Sequence, residues 1–240
     1  MSDNGSPGGR VRTAGIVGGL GPESTIDYYR RIIQAYGEHR DGSGPSLLIN
    51  SVDTKKALAI AAADDRVQFV EFLSTAVEVL AAGGADFAVL SANTPHIVFD
   101  EVRARSRIPM ISIVEVTAHA ARARGLKRLG LIGTRYTMRG EFYPRGFARV
   151  GVGLVPPGQA DQEYVHAKYI GELLKGVFLS TTHDGLVAVV ERLRRDEGID
   201  GIILGGTELA LILTEPTIAG IPVLDTAALH VEAIVKELLA

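Results

Sequence analysis

The 240-residue sequence contains no cysteine and no tryptophan. The first absence removes disulfides, thiolate metal sites and thiol nucleophiles from consideration. Aromatic residues make up only 6% of the chain, and the net charge is −3. So small a charge carries no basic field of the kind that nucleic acid or an anionic membrane requires, and neither is expected as a partner. No apolar run approaches the roughly 20 residues of a membrane span. Hydrophobic residues at 46% and charged ones at 22% are ordinary for a globular protein with enough chain to bury a sizeable core. The opening MSDNGSPGGR is polar and Gly-rich, without an apolar segment fit for a signal peptide. Residues 1–11 therefore read as a flexible tail, and the cytoplasm is the expected location.

What the chain does have is alternation. Short apolar runs at residues 12–17, 46–50, 87–90 and 110–114 read as strands, with helical spacing from Glu23 onward and over 65–82 and 97–105. The second half repeats the pattern, with strands at 128–132, 153–155, 201–204 and 223–224 and helices near 140–149, 162–174, 184–197 and 227–239. Strands alternating with helices predict an α/β fold with parallel sheets covered on both faces.

An internal repeat divides the chain. Ala14-Gly15-Ile16-Val17-Gly18 returns as Leu129-Gly130-Leu131-Ile132-Gly133, and Gly84-Ala85-Asp86 returns as Gly198-Ile199-Asp200. Ile108-Pro109, before a strand expected to end at Glu115, returns as Ile221-Pro222 before one ending at Asp225. The offset is about 114 residues each time, too long for a solenoid but right for a duplicated lobe. The expected organisation is two pseudo-symmetric three-layer lobes, the first spanning 12–114 plus 226–240 and the second 115–225. Ligands of open α/β sheets bind beyond the carboxyl ends of the strands. Two facing lobes would thus set the loop from Ser91 to His96 opposite Gly205-Gly206-Thr207-Glu208 across one cleft.

Several residues in those loops could carry chemistry. Asn93 and Thr94 lie between a buried strand and a helix, where they either cap the helix or donate to a carboxylate. Thr207 matches them in the other lobe, and Thr134 and Thr137 follow the strand at 128–132. His96 is either a general acid or base or a structural hydrogen-bonder. Glu208 would sit at the cleft as a base, with Glu115 and Asp225 as alternatives at strand ends. No histidine pair has metal-ligand spacing, and no metal is expected. The turn Gly18-Gly19-Leu20-Gly21-Pro22 lacks the ending of a P-loop, and Ser24 stands where G-x-G-x-x-G needs its last glycine.

The segments Ala14 to Thr25, Asn93-Thr94-Pro95-His96, Asp161 to His166 and Gly205-Gly206-Thr207-Glu208-Leu209 together resemble the aspartate/glutamate racemase superfamily, its aspartate racemase branch most of all. The resemblance implies a homodimeric, cofactor-independent isomerase of acidic amino acids, in which one cysteine from each lobe flanks the substrate α-carbon. Here Ala92 and Gly206 occupy those two positions, so the two-thiol mechanism is not available. Asn93, Thr94, Thr207, Thr134 and Thr137 are the expected carboxylate-binding residues, with Lys55 or Lys56 on a distal carboxylate. Glu163 stands where some relatives carry a basic residue. The expected activity is an isomerase or a one-sided lyase with Glu208 as base and His96 or Ser91 assisting. The alternative is a silent homologue that binds a carboxylate metabolite or a partner protein.

Overall fold

Residues 11–240 are described in a computed structural model of the chain, and the tail expected over 1–11 lies outside them apart from Val11. The first sheet consists of β1 (Thr13–Gly18), β2 (Ser46–Ser51), β3 (Phe87–Leu90) and β4 (Met110–Ile111), in the order β2-β1-β3-β4, all parallel. The second contains β5 (Arg128–Gly133), β6 (Gly153–Val155), β7 (Gly201–Gly205), β8 (Thr217–Ile218) and β9 (Ile221–Asp225), in the order β6-β5-β7-β9-β8. Only the edge strand β8 runs antiparallel. The α/β class with parallel sheets, expected from the alternation, is the observed fold.

Helices cover both faces of each sheet. On the first, α1 (Pro22–His39) packs with α10 (Thr226–Leu238) through Tyr28, Ile32, Val231 and Ile234, while α2 (Thr54–Ala62), α3 (Arg66–Ala82) and α4 (Phe99–Arg105) close the other face around Leu73 and Leu90. On the second, α5 (Ile113–Ala123) and α7 (Phe142–Ala148) bury Ile113, Tyr143 and Phe147 against Leu129 and Ile203. The opposite face holds α8 (Gln159–Gly171) and α9 (Ser180–Glu197), whose Val165, Leu186 and Val189 meet Ile202 and Leu204. The short α6 (Arg135–Arg139) follows β5.

The repeat has a physical meaning at matched positions. Asp86 accepts from the backbone N–H of Thr13 at 2.8 Å, and Asp200 accepts from those of Lys127 and Arg128 at 2.7 and 3.0 Å. Each Gly-x-Asp thus ties the start of one central strand to the start of its neighbour, satisfying donors that the ladder leaves over. Gly15 and Gly130 also match. A Cβ on either would crowd the covering residues, Leu80 and Ala85 in one sheet and Ile199 and Ile202 in the other.

Three departures from the sequence reading bear on function. The strand expected over 110–114 stops at Ile111, because the Ser112 hydroxyl accepts the N–H of Glu115 at 3.3 Å and starts α5. Glu115 is therefore in a first helical turn, paired with Arg103 at 3.0 Å, and not at a strand end. The helix expected near 140–149 is α7, the short α6 before it was not expected, and the helix expected over 97–105 opens as a 3₁₀ turn at Thr94. No helix among the described residues is long and apolar enough to cross a membrane.

Candidate functional site

The loops after β3 and β7 meet in one cavity of about 40 Å³. Ala92, Asn93 and Thr94 line it from the first sheet's side, Thr134, Tyr169 and Glu208 from the second's. The remaining walls are apolar, formed by Leu20 and by Ala57, Leu58, Ala61, Phe69 and Leu174.

Glu208 sits in a 3₁₀ turn, Thr207–Leu211, directly after β7, and is 2% exposed. Its Oε2 accepts from the Tyr169 hydroxyl and, at 3.1 Å, from that of Thr207. Thr207 in turn accepts from Ser24 Oγ at 2.7 Å. Oε1 has no hydrogen-bond partner among the described residues. It lies beside Gly21, where a Cβ would come within 3.0 Å of Glu208 Cδ and closer still to Oε1. The turn after β1 is held open for this carboxylate by the missing side chain. Gly19, at φ 74°, supplies the left-handed residue that lets the turn form.

Tyr169 is the functional residue that sequence reasoning missed. It projects from α8, 39 residues from Glu208, and its ring fills the space beside Gly206. A Cβ on Gly206 would lie 2.8 Å from the phenol oxygen and nearer to the ring carbon Cε2. Burial, reinforced by the charge of Glu208, pushes the Tyr169 phenol well above its usual range. The available signal was Gly206 itself, a glycine in an otherwise side-chain-bearing loop position, which implies that something large stands next to it.

Of the residues singled out from the sequence, Asn93, Thr94, Thr134 and Glu208 line the cavity. The hydroxyls of Thr94 and Thr134 meet at 2.8 Å, and Thr134 reaches Thr137 at 3.3 Å, so one hydroxyl cluster bridges the two sheets' loops. Thr207 belongs to the chain that ends on Glu208. The Asn93 amide is spent within the protein. Its Oδ1 accepts from Tyr143 at 2.5 Å, and its Nδ2 donates to Thr226 at 3.1 Å.

Five of the residues singled out lie apart from the cavity. Ser91 is fully buried and donates to the Val17 carbonyl at 2.9 Å. His96 donates from Nδ1 to the Ala92 carbonyl at 3.0 Å and accepts the Ile113 N–H on Nε2 at 3.2 Å. Both of its nitrogens are occupied, and it faces a separate surface cavity lined by Phe99 and Glu115. Burial holds it neutral, at about 3. Lys55 is an exposed residue at the start of α2, its N–H on the capping Asp53 at 2.8 Å. Lys56 is exposed as well and lies over the Phe72 ring at 5.4 Å. Asp225 caps α10 and pairs with Arg31 at 2.6 Å. Ser91, His96 and Asp225 are each fixed by a backbone or ionic partner away from the cavity.

The site can thus present one carboxylate and one phenol on a single wall, hydroxyls on another, and a methyl where Ala92 faces in. Glu208 and Tyr169 are the titratable residues among those lining it. Among the described residues, no group of three or more His, Cys, Asp or Glu side chains is arranged to hold a metal ion.

Comparison with known proteins places this geometry. Residues 17–234 match the family described as Asp/Glu/Hydantoin racemase. A broad-specificity amino-acid racemase of Bacillus subtilis is 24% identical over 239 residues, covering 94% of this chain and 98% of the relative. The crystal structure of a candidate Asp/Glu racemase from Yersinia pestis superposes with a TM-score of 0.86 at 33% identity, over 95% of this chain and 100% of that one. An aspartate racemase homologue from Pyrococcus horikoshii gives 0.80 at 29% identity, with the same coverage.

Proposed function

Since the chain belongs to the Asp/Glu/Hydantoin racemase family, we propose that it performs proton transfer at the α-carbon of a small amino or dicarboxylic acid bound in the cavity between the two loops, with Glu208 as the sole base. The observation that carries this reading is the buried Glu208 carboxylate. One oxygen is held by the Tyr169 and Thr207 hydroxyls while the other has no partner. A buried carboxylate that accepts two hydroxyls on one oxygen and leaves the other unpartnered is equipped to accept a proton.

The substrate carboxylate belongs on the Thr94 and Thr134 hydroxyls, whose mutual bond it would replace. Negative charge that develops on that carboxylate as the α-proton leaves is then met by the same hydroxyl donors. The relative named as a broad-specificity amino-acid racemase supports an amino acid as the substrate. The family resemblance supports cofactor-independent chemistry in a cytoplasmic homodimer.

One base changes the outcome. Inversion needs a donor on the opposite face of the α-carbon, and there the chain offers the methyl of Ala92. A proton returned from the Glu208 side gives exchange with retention. Loss of a β-substituent from the carbanion instead gives elimination, which makes the protein a lyase. Proton NMR of the protein with amino acids in D₂O tests this. The α-proton signal should fade without change in optical rotation, or olefinic signals should grow in. Glu208→Gln should slow either process about 10²–10⁴-fold. Turnover that survives this change would exclude Glu208 as the base.

A second reading is favoured by one observation, the Tyr169 ring packed beside Gly206. A site closed in this way suits a silent homologue that binds a carboxylate metabolite. Ligand lines that broaden without exchange would support it.

A further inference from the structure

We infer that the amino acid taken by this cavity carries a small uncharged side chain in place of a second carboxylate. This rests on the reading that the cavity is the substrate site. None of the residues lining it is an arginine, lysine or histidine. Its one charged group is Glu208, itself buried and anionic in the proposed chemistry. A distal carboxylate brought into the same low-dielectric space would meet like charge and lose its water without a cationic partner.

Three cations on the elements that flank the cavity are engaged elsewhere. Arg139 Nε donates to Gln162 at 2.8 Å, and Lys168 Nζ is paired with Glu172 at 2.5 Å. Lys56 lies on Phe72, over a different groove. The apolar wall of Ala57, Leu58, Ala61, Phe69 and Leu174 offers a side chain only dispersion contact. The cavity is also narrow, about 40 Å³ for all that it holds, so the smallest side chains suit it best.

The test compares alanine, 2-aminobutyrate, aspartate and glutamate with the full chain, reading Kd by calorimetry and α-proton exchange in D₂O on the same preparation. The neutral pair should bind about tenfold or more tightly than the acidic pair. Leu58→Arg, on a half-exposed helix position that tolerates a long side chain, should invert the order. Aspartate or glutamate binding as tightly as alanine to the unaltered protein would overturn the inference, whatever the variant does. Exchange fastest with aspartate would also overturn it, and would leave the proposed reaction standing. Tight binding of the neutral pair with no exchange would uphold the inference and remove the reaction. Binding by none of the four would overturn both.

Discussion

The ring of Tyr169 stands where a side chain on Gly206 would go, with the phenol oxygen 2.8 Å from the position of the missing Cβ. Gly206 is extended at φ −160°, so backbone strain does not enter and the constraint is one of space. Gly206→Ala should therefore destabilise the protein by about 1–3 kcal/mol through overpacking. In combination with Tyr169→Leu, the alanine should cost less than it does alone, a coupling of about 0.5–3 kcal/mol. Urea unfolding of the two single variants and the double variant measures both quantities. Strict additivity would mean that the ring does not fill this space. The same geometry predicts that restoring a cysteine at position 206 without shortening Tyr169 gives a strained protein and not a working thiol.

Asn93 separates binding from architecture. Its amide joins Tyr143 to Thr226, and the Thr226 hydroxyl passes on to the Leu204 carbonyl at 2.8 Å. Asn93→Ala strands the buried Tyr143 hydroxyl at a desolvation cost of about 1–3 kcal/mol, while Thr226 keeps its bond to Leu204. The midpoint of denaturant unfolding should drop with little change in slope. If the variant unfolds at the parent's midpoint and only ligand affinity falls, the amide serves the ligand and not the fold.

Two neutral histidines set the acid limit. Burial pushes His96 down to about 3 and His230 down to about 4. His230 accepts from Tyr28 at 3.0 Å and donates to the Ile111 carbonyl at 3.1 Å, so neither ring has room for a second proton. Below the ordinary histidine value of about 6.5, the unfolded chain takes up protons that the folded one refuses, and stability falls with pH. Each histidine contributes about 1.4 kcal/mol per pH unit between that value and its folded one. His230→Gln should lower the slope measured by unfolding between pH 6 and about 4.5. An unchanged slope would assign the acid sensitivity to other groups.

How much of this was legible in the sequence depends on how local the determinant is. Phe87–Leu90 and Gly153–Val155 are strands at the expected residues, because an apolar run bounded by turn residues is a local signal. The helix α5 was hidden by the apolar run from Met110 to Val114, which reads continuously across the strand end. Only the hydroxyl of Ser112 marks the break. The helix α2 follows a capping Asp53 on a lysine- and alanine-rich stretch with weak amphipathic contrast. Within the site, Glu208 and the threonines were visible as polar residues after strands. The roles of His96 and Ser91 were not, because each is fixed by a backbone partner that sequence spacing does not reveal. Tyr169 was the hardest to see, since its significance lies in facing a glycine on a distant loop.

Gly21 offers a way to move the Glu208 carboxylate without altering its charge. Gly21 is extended at φ −155°, so alanine suits its backbone. The added methyl would meet Glu208 within 3.0 Å of Cδ and closer to Oε1, and the carboxylate is the end of a side chain that can swing aside. Gly21→Ala should therefore fold, at a cost of about 1–3 kcal/mol for the disturbed hydrogen bonds of the buried carboxylate. A proton-transfer group displaced by about 1 Å loses on the order of 10²-fold in rate. The expected variant is folded with a modestly lowered melting temperature, retained ligand binding and greatly slowed α-proton exchange. That combination would separate the position of Glu208 from its mere presence. Exchange at the parent's rate in a protein whose carboxylate has been pushed away from Gly21 would mean that the proton is taken by another group, and Tyr169 would then be the next to replace.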